Sequence, residues 1–210
     1  MQQCGGVYLH GFLSSGNSQK GQWLKQRLKN VTASNNQAVS CKLFTPSYSM
    51  QNPSQSVDFL QAYIEDTGLP SSHVPWFLIG SSMGGFYAQY LAQQYRVPYI
   101  MINPALDPVG LMKDYMGEHQ NPYSGETIII DETYRNDLAN YYCKPNDEIP
   151  CLLLLDEKDE VIPYRQSYEM YRTGNPNHVT RLFNGGSHAF EHMSEAEEEI
   201  RNFLKKSVTK

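Results

Sequence analysis

Short apolar runs alternate along this chain with longer stretches in which apolar residues recur every three or four positions. Val7–His10 is the first such run, and it leads into Gly11-Phe12-Leu13-Ser14-Ser15-Gly16. Asn17 or Ser18 can then cap a helix reaching about Asn30, with Trp23, Leu24 and Leu28 at core spacing. Cys41–Thr45 reads as the next strand, stopped by Pro46. Ser54 or Ser56 opens a helix through Val57, Leu60 and Ile64 that ends at Gly68-Leu69-Pro70. Trp76–Ile79 predicts a buried strand, followed by the turn Gly80–Gly85, a helix from about Phe86 to Tyr95, and a strand at Tyr99–Ile102. The second half repeats the theme, with a strand at Cys151–Leu155, a helix at Tyr164–Tyr171, a strand at Val179–Phe183 and a last helix over Glu195–Val208. Such alternation predicts an α/β fold with a mostly parallel sheet.

Residues 104–148 break this rhythm. They hold Pro104, Pro108, Pro122 and Pro145, several tyrosines and one further apolar run, Thr127–Ile130. An excursion between two core strands is expected over the strands' carboxyl ends, where open α/β sheets bind ligands. Leu106, Leu111, Met112, Tyr115, Met116 and Tyr123 from this stretch, with Phe12 and Leu13, are candidates for an acyl pocket.

Composition removes several classes of function. A chain of 210 residues fits one domain over 1–210, and 40% hydrophobic, 12% aromatic and 19% charged residues describe a packed chain rather than a disordered one. The longest aliphatic run is Leu152–Leu155, whereas a bilayer span needs about 20 apolar residues, so no membrane partner is expected. The start of the chain carries no basic segment or long apolar stretch, and no signal peptide is expected. Net charge is −5 and only Lys205-Lys206 are adjacent among the basic residues, which argues against a nucleic-acid partner. Cys4, Cys41, Cys143 and Cys151 show no CxxC spacing, so the expected setting is cytoplasmic, with the cysteines as small buried hydrophobes.

The sharpest chemical signal is Gly80-Ser81-Ser82-Met83-Gly84, which satisfies G-x-S-x-G with Ser82 at its centre, after a strand and before a helix. Glycines flank the serine because the turn is too tight for side chains there, and the helix N-terminus behind it favours developing negative charge. A serine nucleophile needs a base. His188 follows the last strand in Asn184-Gly185-Gly186-Ser187-His188-Ala189-Phe190. The acid belongs past an intervening strand, and Asp159 is favoured within Asp156-Glu157-Lys158-Asp159-Glu160-Val161-Ile162-Pro163, with Asp156 and Glu160 as fallbacks. The order Ser…Asp…His is that of the α/β-hydrolases and of neither protease class. An oxyanion hole would take one donor from the Met83 backbone N–H and the other from Phe12, after the first strand.

Two rival readings share these residues. His188-Ala189-Phe190-Glu191-His192 fits H-x-x-E-H, a zinc pattern that requires a helix and a third ligand, such as one of Glu197–Glu199. Gly185-Gly186 upstream favours a loop instead, and His192 is then expected at the surface or behind the site. A non-catalytic ligand-binding protein on a hydrolase-like fold is the other. The leading reading needs no metal or organic cofactor, only a small-molecule acyl ester or thioester.

Tyr8–Ser15, Gly80–Ala88, Asn103-Pro104-Ala105, Asn121-Pro122-Tyr123-Ser124-Gly125, Asp159-Glu160-Val161, Tyr164-Arg165-Gln166 and Gly185–Phe190 occur in that order. Together they resemble the small bacterial YqiA-like esterases, a family of the α/β-hydrolase superfamily, from about Val7 to Phe190. The resemblance implies a sheet with helices on both faces, a short insertion at 104–148 over the active site, and hydrolysis of acyl esters, acyl-CoA thioesters among them. It also implies Ser82, Asp159 and His188 at the family's catalytic positions. The run Asp156–Asp159 is more charged than the family pattern.

Overall fold

β4 (Trp76–Ser81) and β8 (Cys151–Asp156) are buried at every residue, which is why their sequences are continuous apolar runs rather than alternating ones. The computed structural model describes residues 2–33, 38–172 and 174–208. Around these two strands lie β1 (Gln2–Leu9), β2 (Asn30–Thr32), β3 (Ala38–Phe44), β5 (Tyr99–Ile102) and β9 (His178–Phe183). They form one sheet in the order β2-β3-β1-β4-β5-β8-β9, in which only β2 runs antiparallel to its neighbour.

Both faces are covered. Val7 and Leu9 of β1 pack with Leu60 and Ile64 of α2 (Pro53–Asp66) and Leu91 of α3 (Met83–Tyr95). The intervening Tyr8 packs on the other side with Leu24 of α1 (Gln19–Arg27) and with Ile200 and Leu204 of the long C-terminal helix (Met193–Ser207). Helices therefore lie on both faces of a mostly parallel sheet, the expected architecture.

The departures from expectation have steric causes. β1 begins at Gln2 rather than Val7 and runs through Gly5 and Gly6, because side chains fill the space a Cβ would need; one at Gly6 would lie 2.6 Å from Phe77. Ser18, not Asn17, caps α1, and that helix ends at Arg27, which frees Asn30–Thr32 to form β2. Asn52 rather than Ser54 or Ser56 caps α2, its side chain accepting from Gln55 N–H while Pro53 occupies the first turn. α3 begins at Met83, three residues earlier than the apolar pattern indicated, since Gly84 and Gly85 belong to its first turn.

Residues 104–148 form the excursion. They contain α4 (Pro108–Leu111), a 3-10 turn (Met112–Tyr115), an antiparallel hairpin of β6 (Gly117–Gln120) and β7 (Thr127–Ile130), and α5 (Glu132–Ala139). β6 has no apolar rhythm because it is mostly exposed and pairs only with β7. No helix among the described residues is long and apolar enough to cross a membrane.

Leu153 is fully buried at the centre of β8. Leu153→Ala should cost about 2–5 kcal/mol of folding stability, read from urea denaturation as a lower midpoint with an unchanged slope.

Candidate active site

Ser82 occupies the turn between β4 and α3 at φ 56 and ψ −124, conformational space that L-residues avoid. The strain is imposed by close packing. A Cβ at Gly80 would strike the Gly84 carbonyl, and one at Gly84 would strike the Leu9 carbonyl, so the turn tolerates no side chain at either position. The turn is held in place by Ser82 N–H donating to Ile102 O at 3.0 Å and by Ala105 N–H donating to Ser82 O at 3.1 Å. Among the described residues, five non-glycine residues have positive φ; Leu13, Ser82, Asn103 and Phe190 lie in loops at this site, and the fifth, Arg96, ends α3. Strain of this kind persists only where surrounding contacts enforce it.

The three expected side chains converge. His188 Nε2 lies 3.0 Å from Ser82 Oγ, and His188 Nδ1 lies 3.0 and 2.9 Å from the two Asp159 carboxylate oxygens. The Asp159 side chain is 1% exposed and that of His188 is 22% exposed, so the carboxylate is enclosed while the imidazole still reaches solvent. Val161 and Ile162 N–H donate to Asp159 Oδ1 at 2.9 and 2.8 Å and fix the carboxylate. Of the two fallback acids, Asp156 faces His192. Glu160 accepts from the His188 backbone N–H at 2.9 Å, a bond that holds its carboxyl below the usual range.

Gly11 lies against Ser82, since a Cβ there would be 3.1 Å from Ser82 Cβ. Among the described residues neither the Phe12 nor the Met83 N–H has a hydrogen-bond partner. His10 sets this loop. Its Nε2 accepts from Tyr48 N–H at 3.2 Å, so Nδ1 carries the proton and donates to Gly11 O at 2.9 Å. The Tyr48 hydroxyl donates to His10 O at 2.7 Å and the two rings stack at 4.1 Å. Burial pushes the imidazole down to about 4, in spite of its bond to Gly11.

Sequence reasoning missed how the base is held. Asp156, 0% exposed at the end of β8, accepts from Ser187 N–H at 3.1 Å, Glu191 N–H at 2.9 Å and His192 Nδ1 at 2.7 Å. One carboxylate thus grips the His188 loop on both sides. Asn103 adds a second brace, its Oδ1 accepting from Asp156 N–H at 2.9 Å and its Nδ2 donating to Ser187 O at 3.0 Å. Lys20 Nζ donates to Ala189 O at 2.8 Å; burial lowers this amine to about 8 while the Asp156 and Asp159 carboxylates oppose the shift. The signal for Asn103 was its place at the end of β5, beside the elbow. His192, expected at the surface or behind the site, takes the second of these places, on Asp156. Residues 188–192 form turns ahead of the last helix, the two histidines face different carboxylates, and no metal-binding cluster occurs among the described residues, which corrects the zinc reading.

Ser82 opens on two cavities. One of 180 Å³ is lined by Phe12, Leu13, Met83, Leu111, Met112 and Tyr115, with Val161 at its edge. The other, 480 Å³, lies on the α1 side between Trp23, Lys20, Ser14 and Phe190. Leu106 is instead part of the core, and Met116 and Tyr123 are exposed outside the small cavity, so those three candidates for the acyl pocket are corrected.

A sheet of this order with a strained serine between strand and helix defines the α/β-hydrolase fold. Solved structures agree. Est1E from Butyrivibrio proteoclasticus superposes with a TM-score of 0.69 at 15% identity, covering 98% of this chain and 88% of its own. A soluble variant of monoglyceride lipase from Saccharomyces cerevisiae, in complex with a substrate analog, gives 0.69 at 13% identity, covering 100% of this chain and 88% of its own. The chain belongs to the uncharacterised protein family UPF0227, which it matches over residues 6–205, the YqiA-like family that its motifs resemble. It is also 29% identical over 143 residues to the acylamino-acid-releasing enzyme of Mus musculus; that match covers 60% of this chain and 19% of the relative's length.

Asp156→Ala should remove the acceptor of two backbone N–H groups and an imidazole, lowering stability by about 3 kcal/mol or more in chemical denaturation. His10 stays neutral in the fold down to about pH 4 but protonates near 6.5 when unfolded. Its contribution is therefore complete above pH 6.5 and lost as pH falls toward 4, by up to about 3 kcal/mol. Denaturation midpoints across that window should fall more steeply in the wild type than in His10→Gln.

Proposed function

We propose that this chain is a serine hydrolase that cleaves carboxylic esters through an acyl-enzyme. The observation that carries the reading is the unbroken line from Asp159 through His188 to Ser82 Oγ, with hydrogen-bond distances of 2.9 and 3.0 Å across the imidazole. Ser82 Oγ attacks the acyl carbon as its proton passes to His188 Nε2. Asp159 holds the Nδ1–H tautomer and stabilises the imidazolium that forms. The developing oxyanion accepts from the Phe12 and Met83 N–H groups, which are free to donate. Donors of this kind are worth about 3–4 kcal/mol each to the transition state. His188 then protonates the leaving group, and a water activated by the same nitrogen releases the acid and regenerates Ser82.

The same chemistry extends to acyl-CoA thioesters, whose thiolate leaving group needs less help from the acid. It also extends to acyl–nitrogen bonds, a second reading favoured by the alignment with the acylamino-acid-releasing enzyme. A non-catalytic binding role fits poorly with a histidine aligned to the serine on one side and a buried carboxylate on the other. Free thiols at Cys4, Cys41 and Cys151, all buried, support a reducing, cytoplasmic setting.

Ser82→Ala should reduce turnover of a p-nitrophenyl ester by about 10⁴-fold or more and abolish labelling by a fluorophosphonate probe, while the melting temperature stays near that of the wild type. Retained labelling in that variant would overturn the assignment. An acyl-peptide p-nitroanilide cleaved faster than the matching ester would favour the second reading.

A further inference from the structure

The stretch Asn121-Pro122-Tyr123-Ser124-Gly125 has no part in the triad or in the oxyanion loop, yet its geometry is closely determined. The buried Asn121 side chain accepts from the N–H groups of Tyr123 and Ser124 at 2.9 and 3.4 Å and donates to Ser14 O at 3.1 Å. Gly125, at φ 72, turns the chain back, and its N–H bonds Asn121 O at 2.8 Å. One amide thus ties the hairpin loop of the insertion to the segment that carries Phe12. Between the two lies a cavity of 390 Å³, and Ser14 lines both this cavity and the 480 Å³ cavity beside Ser82.

The lining is rich in hydroxyl groups and has no Lys or Arg. Ser15, Ser47, Ser49 and Ser124 each accept a backbone N–H through Oγ at 3.0–3.3 Å. An alcohol that accepts in this way keeps its own hydrogen to donate. Glu126 adds a carboxylate, which only accepts, and Tyr123 presents a ring that is 63% exposed. An apolar ligand would leave these groups without partners, and an anionic one would meet Glu126 with no cation in the lining to balance it. A neutral molecule with several adjacent hydroxyls satisfies both sets. Its hydroxyls donate to Glu126 and accept from the serines, while its C–H face lies on Tyr123.

We propose that this cavity is a subsite for the neutral, polyhydroxylated alcohol portion of the ester, a saccharide, with the acyl group seated in the 180 Å³ apolar cavity at Leu111 and Met112. This rests on the esterase reading of Ser82. Phe12, Leu13, Met83 and Tyr115 complete the apolar wall of that cavity. Ser14, which lines both cavities, joins this subsite to the 480 Å³ cavity beside Ser82.

The test compares acetates that differ only in the alcohol: methyl 6-O-acetylglucoside, cyclohexylmethyl acetate and acetyl-CoA, with p-nitrophenyl acetate as reference. The glucoside ester should exceed cyclohexylmethyl acetate by about tenfold or more in kcat/KM. Tyr123→Ala should lower the ratio of the glucoside ester to p-nitrophenyl acetate by about tenfold. An NMR titration of Ser82→Ala with cellobiose reads the subsite without turnover; saturable binding that weakens in Ser82→Ala/Tyr123→Ala supports it. Equal rates on the glucoside and cyclohexylmethyl esters, a preference for acetyl-CoA, or no binding in the titration would overturn it. If the wild type turns over none of the acetates, the esterase reading fails, and the titration alone decides the subsite.

Discussion

The contact on which the site depends is the one between the start of α3 and the end of β1, where Gly84 meets the carbonyls of Leu9 and His10 without room for a Cβ. Three consequences follow from that single approach. Ser82 is forced to φ 56, which lifts Oγ above the sheet. The first N–H of α3, at Met83, is left without an intrahelical partner, as at any helix N-terminus. The chain leaving β1 must also turn beside the nucleophile, so that Gly11 and Phe12 lie next to Ser82. Ser82 and both candidate oxyanion donors are thus fixed relative to one another by backbone packing, with the His10 side chain bracing the Phe12 loop. Preorganisation of this kind needs no rearrangement when charge develops.

The base cannot be fixed that way, because it lies on a loop with two glycines at positive φ. The structure compensates with buried polar groups. Asp156, Asn103 and Lys20 come from three different elements and all bind the backbone of residues 187–191 or that of Asp156 itself. Burying a carboxylate is costly unless its lone pairs are satisfied, and Asp156 has three donors besides its own backbone brace. Gly186 belongs to the same arrangement, since a Cβ there would strike the Asp156 carboxylate. His192, stacked on Phe183 at 5.1 Å, joins the start of the last helix to this brace. Asp159 is thereby left to the His188 imidazole and to the Val161 and Ile162 N–H groups that fix it.

Much of this was legible in the sequence, and what was not has a physical pattern. Strands and helices buried on one or two faces write their period into the chain, so Tyr99–Ile102 and Tyr164–Tyr171 were read to the residue. Ser82, His188 and a carboxylate past β8 stood out because the motif and the strand ends constrain them jointly, and their side chains do lie within hydrogen-bond distance of one another. Elements defined by pairing or sterics left no period. β6 is polar and exposed, β2 has three residues, and Gly5 and Gly6 interrupt a strand whose neighbours fill their space. The contest among Asp156, Asp159 and Glu160 was likewise undecidable from composition. Each of the three binds the His188 loop or its neighbour, and only three-dimensional placement separates the partner of the imidazole from the partners of its backbone.

The division of labour between core and insertion follows from the same geometry. Ser82, His188 and Asp159 all rise from ends of parallel strands, so their spacing is held by the sheet and its two cores. Residues 104–148 reach these side chains at Ala105, whose N–H bonds Ser82 O, at Tyr115 against Phe12 and at Asn121 against Ser14, and they wall both the small apolar cavity and the hydroxyl-lined one. Discrimination by an apolar wall is weak, about 1–3 kcal/mol for a methylene, whereas a site built to pair hydroxyls penalises any analogue that lacks them far more strongly. On the esterase reading proposed above, the sheet places the reacting groups and the insertion lines the cavities beside them.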